Sequence, residues 1–150
     1  MYLRLPPPLV MLLTLAGMYG LASYWPIYQW HFTGQLAVIL VLCLLGAVIG
    51  LAGVVAFAQV QTTIDPRFPN KTSSLVTFGI YRYSRNPMYL GLLCWLIAAC
   101  LYFSALSPFL MLVVFVFYMN HFQIAPEEAV LQAMFGEDYT AYCQQVRRWC

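Results

Sequence analysis

The sequence predicts an all-α, polytopic membrane protein of one domain, with about four transmembrane helices and C-terminal amphipathic helices at the cytoplasmic face. Three observations predict it. Apolar residues make up 63% of the 150-residue chain and charged residues only 8%, against about 25% charged in a soluble domain. Four apolar stretches free of Asp, Glu, Lys and Arg approach the roughly 20 residues that a bilayer-crossing helix needs. The seven basic residues all fall on one side if the chain crosses four times. A water-soluble globule, a disordered tail and a nucleic-acid binder are thereby excluded, and membrane lipid becomes the first partner.

The spans run from about 9–28, 36–58, 88–106 and 108–124. Arg4 ahead of an apolar run resembles the start of a signal peptide, but no convincing small-residue cleavage site follows, so the segment reads as a retained first span. Tyr24, Trp25, Tyr28 and Trp30 gather at its far end, where amphipathic rings favour the headgroup region. Gly46, Gly50 and Gly53 give the second span a small-residue face for close helix packing, within the chain or in an oligomer. Only the turn around Ser107 and Pro108 joins the third and fourth spans, which predicts a tight antiparallel hairpin. The connectors 29–35 and 104–108 hold no Lys or Arg, while Arg4, Arg67, Lys71, Arg82, Arg85, Arg147 and Arg148 share the other side. The positive-inside rule places that side, and both termini, in the cytoplasm.

A charge at mid-bilayer costs at least about 2.5 kcal/mol and is retained only for use. The spans hold none, which argues against a small proton-coupled exporter and moves any chemistry to the cytoplasmic face. Of the five cysteines, Cys43, Cys94 and Cys100 lie in apolar runs and behave as small hydrophobes. Cys143 and Cys150 lack a Cys or His partner at ligand spacing, so no metal site is expected.

Two polar segments remain. In the loop 59–87, Asn86 is a favoured N-cap and Pro87 suits the first helical position, so Arg85 sits at the mouth of a helix whose free N–H groups attract anions. Tyr89 and Gly91 follow on the first turns, one a ring and the other room for a ligand or a packed helix. Arg82 and Arg85 serve equally well as anchors to anionic headgroups, and that reading stays open. In the tail 125–150, Pro126 starts a helix with Glu127 and Glu128 in its first turn, Gly136 ends it, and a second helix carries Tyr139, Tyr142 and Val146. This amphipathic tail is expected on the membrane surface. A carboxylate there, near the Arg85 helix mouth, would hold the ammonium of an amino-acid-like ligand while Arg85 holds its carboxylate. His121, near the end of the fourth span, faces either headgroups or the same pocket.

The run Leu75-Val76-Thr77-Phe78-Gly79-Ile80-Tyr81-Arg82-Tyr83-Ser84-Arg85-Asn86-Pro87-Met88-Tyr89-Leu90-Gly91, then Glu127-Glu128-Ala129-Val130-Leu131, Phe135-Gly136-Glu137-Asp138-Tyr139 and Val146-Arg147-Arg148-Trp149, resembles the isoprenylcysteine carboxyl methyltransferase and phospholipid methyltransferase family of integral membrane enzymes. The match covers roughly the C-terminal half, and it is the combination that is specific. The resemblance implies an S-adenosylmethionine pocket closed by the C-terminal helices and a lipophilic or lipidated acceptor entering from the bilayer. It assigns Gly79, Tyr81, Arg85, Asn86, Pro87, Tyr89, Glu127 and Glu128 to the cofactor, and leaves His121, Glu127 and Glu128 as candidates for any catalytic base. One turn before the glutamates, where relatives that methylate carboxylates often carry an arginine, this chain has Gln123 and Ile124. The implied reaction is O-methylation of an isoprenylcysteine-like carboxylate; phospholipid N-methylation, thiol S-methylation and a non-catalytic lipid-binding subunit are the alternatives.

Overall fold

A computed structural model describes residues 5–59 and 74–150. Arg4, Arg67 and Lys71, which enter the charge asymmetry above, lie outside the described residues. Helix α1 (Pro7–Tyr24) starts on a proline run that suits a helix's first turn. It stops at Tyr24 rather than continuing to residue 28, because Pro26 disfavours the helical conformation at Trp25. Helix α2 (Gln35–Gln59) is the longest single span. A 3₁₀ turn (Gly79–Arg82) leads to α3 (Pro87–Phe103), whose C-cap Ser104 adopts the left-handed conformation at φ 53°. Helix α4 (Phe109–Tyr118) runs through a π-helical turn (Met119–Ile124) into α5 (Ala125–Gln145). Among the described residues three helical stretches are long and apolar enough to cross a membrane, and the 17-residue α3 is a shorter apolar fourth.

The two charge-free connectors are sewn together at one end of the bundle. Trp30 N–H donates to Ser104 O at 3.0 Å and Leu106 N–H to Ile27 O at 2.8 Å. The Gln35 amide donates to Leu101 O and Ser104 Oγ, each at 2.6 Å. Backbone groups near hydrocarbon must be satisfied internally, and these bonds do so where the helices end. Tyr24, Trp25 and Tyr28 stay exposed beside this seam, as an aromatic belt requires.

The glycine face of α2 packs on α3. A Cβ at Gly91 would lie 2.6 Å from the Gly46 carbonyl oxygen and 3.2 Å from the Gly50 nitrogen, so these backbones touch. Of the two uses expected for Gly91, the structure shows the packed helix, and Gly91 also lines the cavity described below. A second core joins α1, α3 and α4 through Met18, Leu96, Cys100, Phe115 and Met119, all fully buried.

At the opposite end the tail folds back over the loop. Gly136 (φ 52°, ψ −119°) breaks α5 where the sequence predicts a stop. Beyond it Tyr139, Tyr142 and Val146 bury against Leu75, Leu131 and Phe135. The apolar face expected to rest on lipid covers protein instead, because the loop offers a matching apolar surface: Val76 and Tyr81 pack with Ala56, and the Phe57 and Tyr81 rings meet edge to face at 5.4 Å.

Candidate active site

The fold encloses a cavity of about 630 Å³ between α2, α3, α5 and the first residues of α1. That volume suits a cofactor or drug-sized ligand. One end is charged, lined by Arg85, Glu127 and Glu128 with Tyr81, Asn86, Tyr89, Tyr139 and Tyr142; the other is apolar, lined by α2 and α3.

Glu128 is the hub of the charged end. It accepts from Arg148 through both oxygens, Nε to Oε1 at 3.1 Å and Nη2 to Oε2 at 2.5 Å. Arg85 Nη2 lies 3.2 Å from Oε1. This fork geometry is what two guanidinium groups around one carboxylate favour. The hydrogen bonds from Arg148 to Glu128 raise the arginine above its ordinary pKa. Arg85 Nε, by contrast, is buried with no hydrogen-bond partner among the described residues. A buried unpaired donor costs about 1–3 kcal/mol, and beside a cavity this one is available to a ligand.

Glu127 has its own network. Tyr89 OH donates to it at 2.8 Å, and Gln123 Nε2 donates to its Oε1 at 2.6 Å and reaches Tyr89 OH at 3.4 Å. The π-helical turn contributes Gln123, in keeping with the frequent occurrence of such turns at functional sites.

The last residues strap the site together. Arg85 N–H donates to Arg147 O at 3.0 Å, the Asn86 side chain donates to Arg148 O at 3.0 Å, and Trp149 Nε1 donates to Asn120 Oδ1 at 3.0 Å. Tyr142 OH donates to Tyr81 O at 2.7 Å, closing α5 over the 3₁₀ turn. Burial pushes the phenols of Tyr81, Tyr139 and Tyr142 well above their ordinary range, so they stay neutral.

Of the residues the sequence singles out, Tyr81, Arg85, Asn86, Tyr89, Glu127 and Glu128 line one cavity. Gly79 and Pro87 do not; Gly79 supplies a φ of +62° that lets the 3₁₀ turn form, and Pro87 is buried at the start of α3. His121 also lies apart: it is exposed, stacks on Phe117 at 4.2 Å and bonds its carbonyl oxygen through Nδ1 at 3.0 Å. Gln123, from the same π-helical turn, lines the cavity and His121 does not. Arg148, Gln123, Tyr139 and Tyr142 complete the charged end without having been assigned to it from sequence. Arg148 and Tyr139 belong to the motif stretches quoted above, which was the available signal.

Apolar helices joined at one end by a charged, half-buried cradle define a polytopic membrane protein with a cavity that is ionic at one end and apolar at the other. A family model for phospholipid methyltransferase matches residues 34–138, and the chain belongs to that family of membrane methyltransferases. It is 44% identical over 62 residues to an uncharacterized Haemophilus influenzae protein, covering 41% of this chain and 98% of the relative. It is 35% identical over 79 residues to protein-S-isoprenylcysteine O-methyltransferase of Schizosaccharomyces pombe, covering 51% of this chain but only 33% of the yeast protein. No solved structure matches it.

Proposed function

We propose that this methyltransferase moves a methyl group from S-adenosylmethionine to a lipophilic acceptor carrying a carboxylate, of the isoprenylcysteine kind, at the cytoplasmic membrane face. One observation carries the reading: a single cavity is ionic at one end and apolar at the other. When bound, S-adenosylmethionine supplies an electrophilic methyl for in-line displacement.

The residues present fit that cofactor. Arg85 offers a buried, unpartnered Nε–H to a carboxylate while Glu128 holds its outer nitrogen. Glu127, oriented by Tyr89 and Gln123, provides an acidic wall for an ammonium. Tyr139 and Tyr142, kept neutral by burial, exclude water from above. The chain's chief contribution to rate is then alignment of acceptor and methyl, since a carboxylate acceptor needs no proton removed.

Phospholipid N-methylation is a second reading, favoured by Gln123: a neutral amide bonded to Glu127 occupies the turn before the glutamates, and Glu127 is placed to take a proton from an amine. Calorimetric titration of detergent-purified protein with S-adenosylmethionine and S-adenosylhomocysteine tests the cofactor. Saturable binding is expected, lost in Glu128→Gln and Arg85→Lys. Folded protein that binds neither, with lipid supplied, would overturn the proposal in favour of a lipid-binding subunit. Labelled-methyl transfer to an S-prenylcysteine or to phosphatidylethanolamine then separates the two acceptor chemistries.

A further inference from the structure

The charged end does not exhaust the cavity. Alongside the contact of α2 with α3, an apolar limb of the cavity is lined by Val54, Gly50 and Gly46 and, farthest from the charged end, by Trp95. Trp95 lies six residues beyond Tyr89, about 9 Å farther along α3 at the α-helical rise. Its indole lies across Gly46, where an added Cβ would sit 2.7 Å from indole Cδ1. Its Nε1–H donates to the Cys43 carbonyl at 2.9 Å. An indole N–H within hydrocarbon requires a partner, and this one fixes the plane of the ring. One turn nearer the charged end, Gly50 lines the same limb, and a Cβ built on it meets no atom within 4 Å. The absent side chain of Gly50 is therefore open space belonging to the cavity.

We infer that Trp95 is a specificity-determining residue that ends the acceptor's apolar chain, while Gly50 keeps the limb open, so the site selects acceptors by chain length. The inference rests on the methyltransferase reading and adds the feature that discriminates among its apolar acceptors. A chain that fits contacts the fixed ring; a longer one must bend past the lipid-facing edge of Trp95, which is 39% exposed. Such a mismatch in an apolar pocket discriminates by about tenfold or more.

The test uses the full chain in lipid nanodiscs with S-prenyl-N-acetylcysteines of five, ten, fifteen and twenty carbons. Labelled-methyl transfer and photolabelling by the same compounds carrying a terminal diazirine are both measured. Trp95→Ala is expected to raise kcat/KM for the longer chains relative to the shorter by about tenfold and to move the photolabel deeper along α2. Trp95→Phe, which keeps a ring, should retain most of the wild-type preference. Gly50→Ile should disfavour all but the shortest chain while S-adenosylhomocysteine binding stays at the wild-type level. Identical chain-length profiles and identical labelling sites in wild type, Trp95→Ala and Gly50→Ile would overturn the inference. Photolabel confined to the limb with no methyl transfer by any variant would instead sink the methyltransferase reading and leave the length limit standing.

Discussion

Arg85 does three things at once. Its backbone N–H ties the C-terminal strap, its Nη2 pairs with Glu128, and its Nε is a buried donor with no partner among the described residues. Lysine keeps the charge but has neither the fork nor a second donor. Arg85→Lys is therefore expected to weaken S-adenosylhomocysteine binding by about 1.5–3 kcal/mol, the usual worth of a hydrogen bond to a charged group, read by calorimetry; unchanged affinity would return Arg85 to the role of a lipid anchor. Glu128→Gln leaves two guanidinium groups without their shared carboxylate, so it and Arg148→Ala should each weaken binding and be strongly non-additive together. A double-mutant cycle showing simple additivity would mean that Arg148 is outside the site. Arg85 and Glu128 are legible in sequence because a helix N-terminus and a helix first turn both announce themselves by capping residues. Arg148 and Gln123 are not, since their roles depend on a tail that returns across 20 residues to Glu128 and on a π-helical turn. Neither leaves a spacing rule in the chain. His121 takes the outward one of the two positions that the sequence left open: it lies on the exposed face of the π-helical turn rather than in the cavity.

The helices follow from composition, and their ends from proline and glycine. The second span is predicted almost to the residue because an uninterrupted apolar run fixes both limits, whereas the first and third are predicted too long because apolar residues continue into the connectors after the helix has stopped. The glycines of α2 are the most informative single feature, since helices in lipid associate through close packing rather than through the hydrophobic effect. Gly91→Ala would push a methyl against the Gly46 carbonyl, a backbone atom that cannot step aside. We expect a loss of about 1–3 kcal/mol, seen as a lower Tm in detergent, while Gly50→Ala, which faces open space, should leave Tm unchanged or higher. Equal effects at the two positions would contradict the close contact of α2 and α3. Gly136 is the corresponding control point in α5. Its φ of 52° and ψ of −119° are strained for any residue with a Cβ, so Gly136→Ala should cost about 1–3 kcal/mol. It should also loosen Tyr142 from the Tyr81 carbonyl, measurable as faster proteolysis of the tail.

The fold brings distant parts of the chain to one end of the bundle. Leu5 to Pro8, at the start of α1, line the same cavity as Tyr139 and Tyr142 of α5, so the beginning of the first span and the tail share a face. Arg82, Arg85, Arg147 and Arg148 lie at that end, and the connectors at the other carry no Lys or Arg. Positive-inside bias supports the proposal that the cavity end is cytoplasmic, where the proposed cofactor would be available and an acceptor would enter laterally from lipid. The native cysteines provide the test. Cys150 is exposed at the end of the tail, whereas Cys94 and Cys100 are buried in α3, and Cys43 is exposed only on the apolar surface of α2. A membrane-impermeant maleimide should label Cys150 in inside-out vesicles and not in sealed right-side-out ones, and Cys150→Ser in a Cys143→Ser background should remove the signal. Labelling from the outer face would invert the topology and separate the charged end of the cavity from its cytoplasmic cofactor supply. Bound S-adenosylhomocysteine should slow the reaction at Cys143, which packs beside Tyr139, Tyr142 and Val146, because a filled charged end holds α5 closed. Accessibility at Cys143 unaltered by that ligand would mean that the tail covers the site without responding to what it contains.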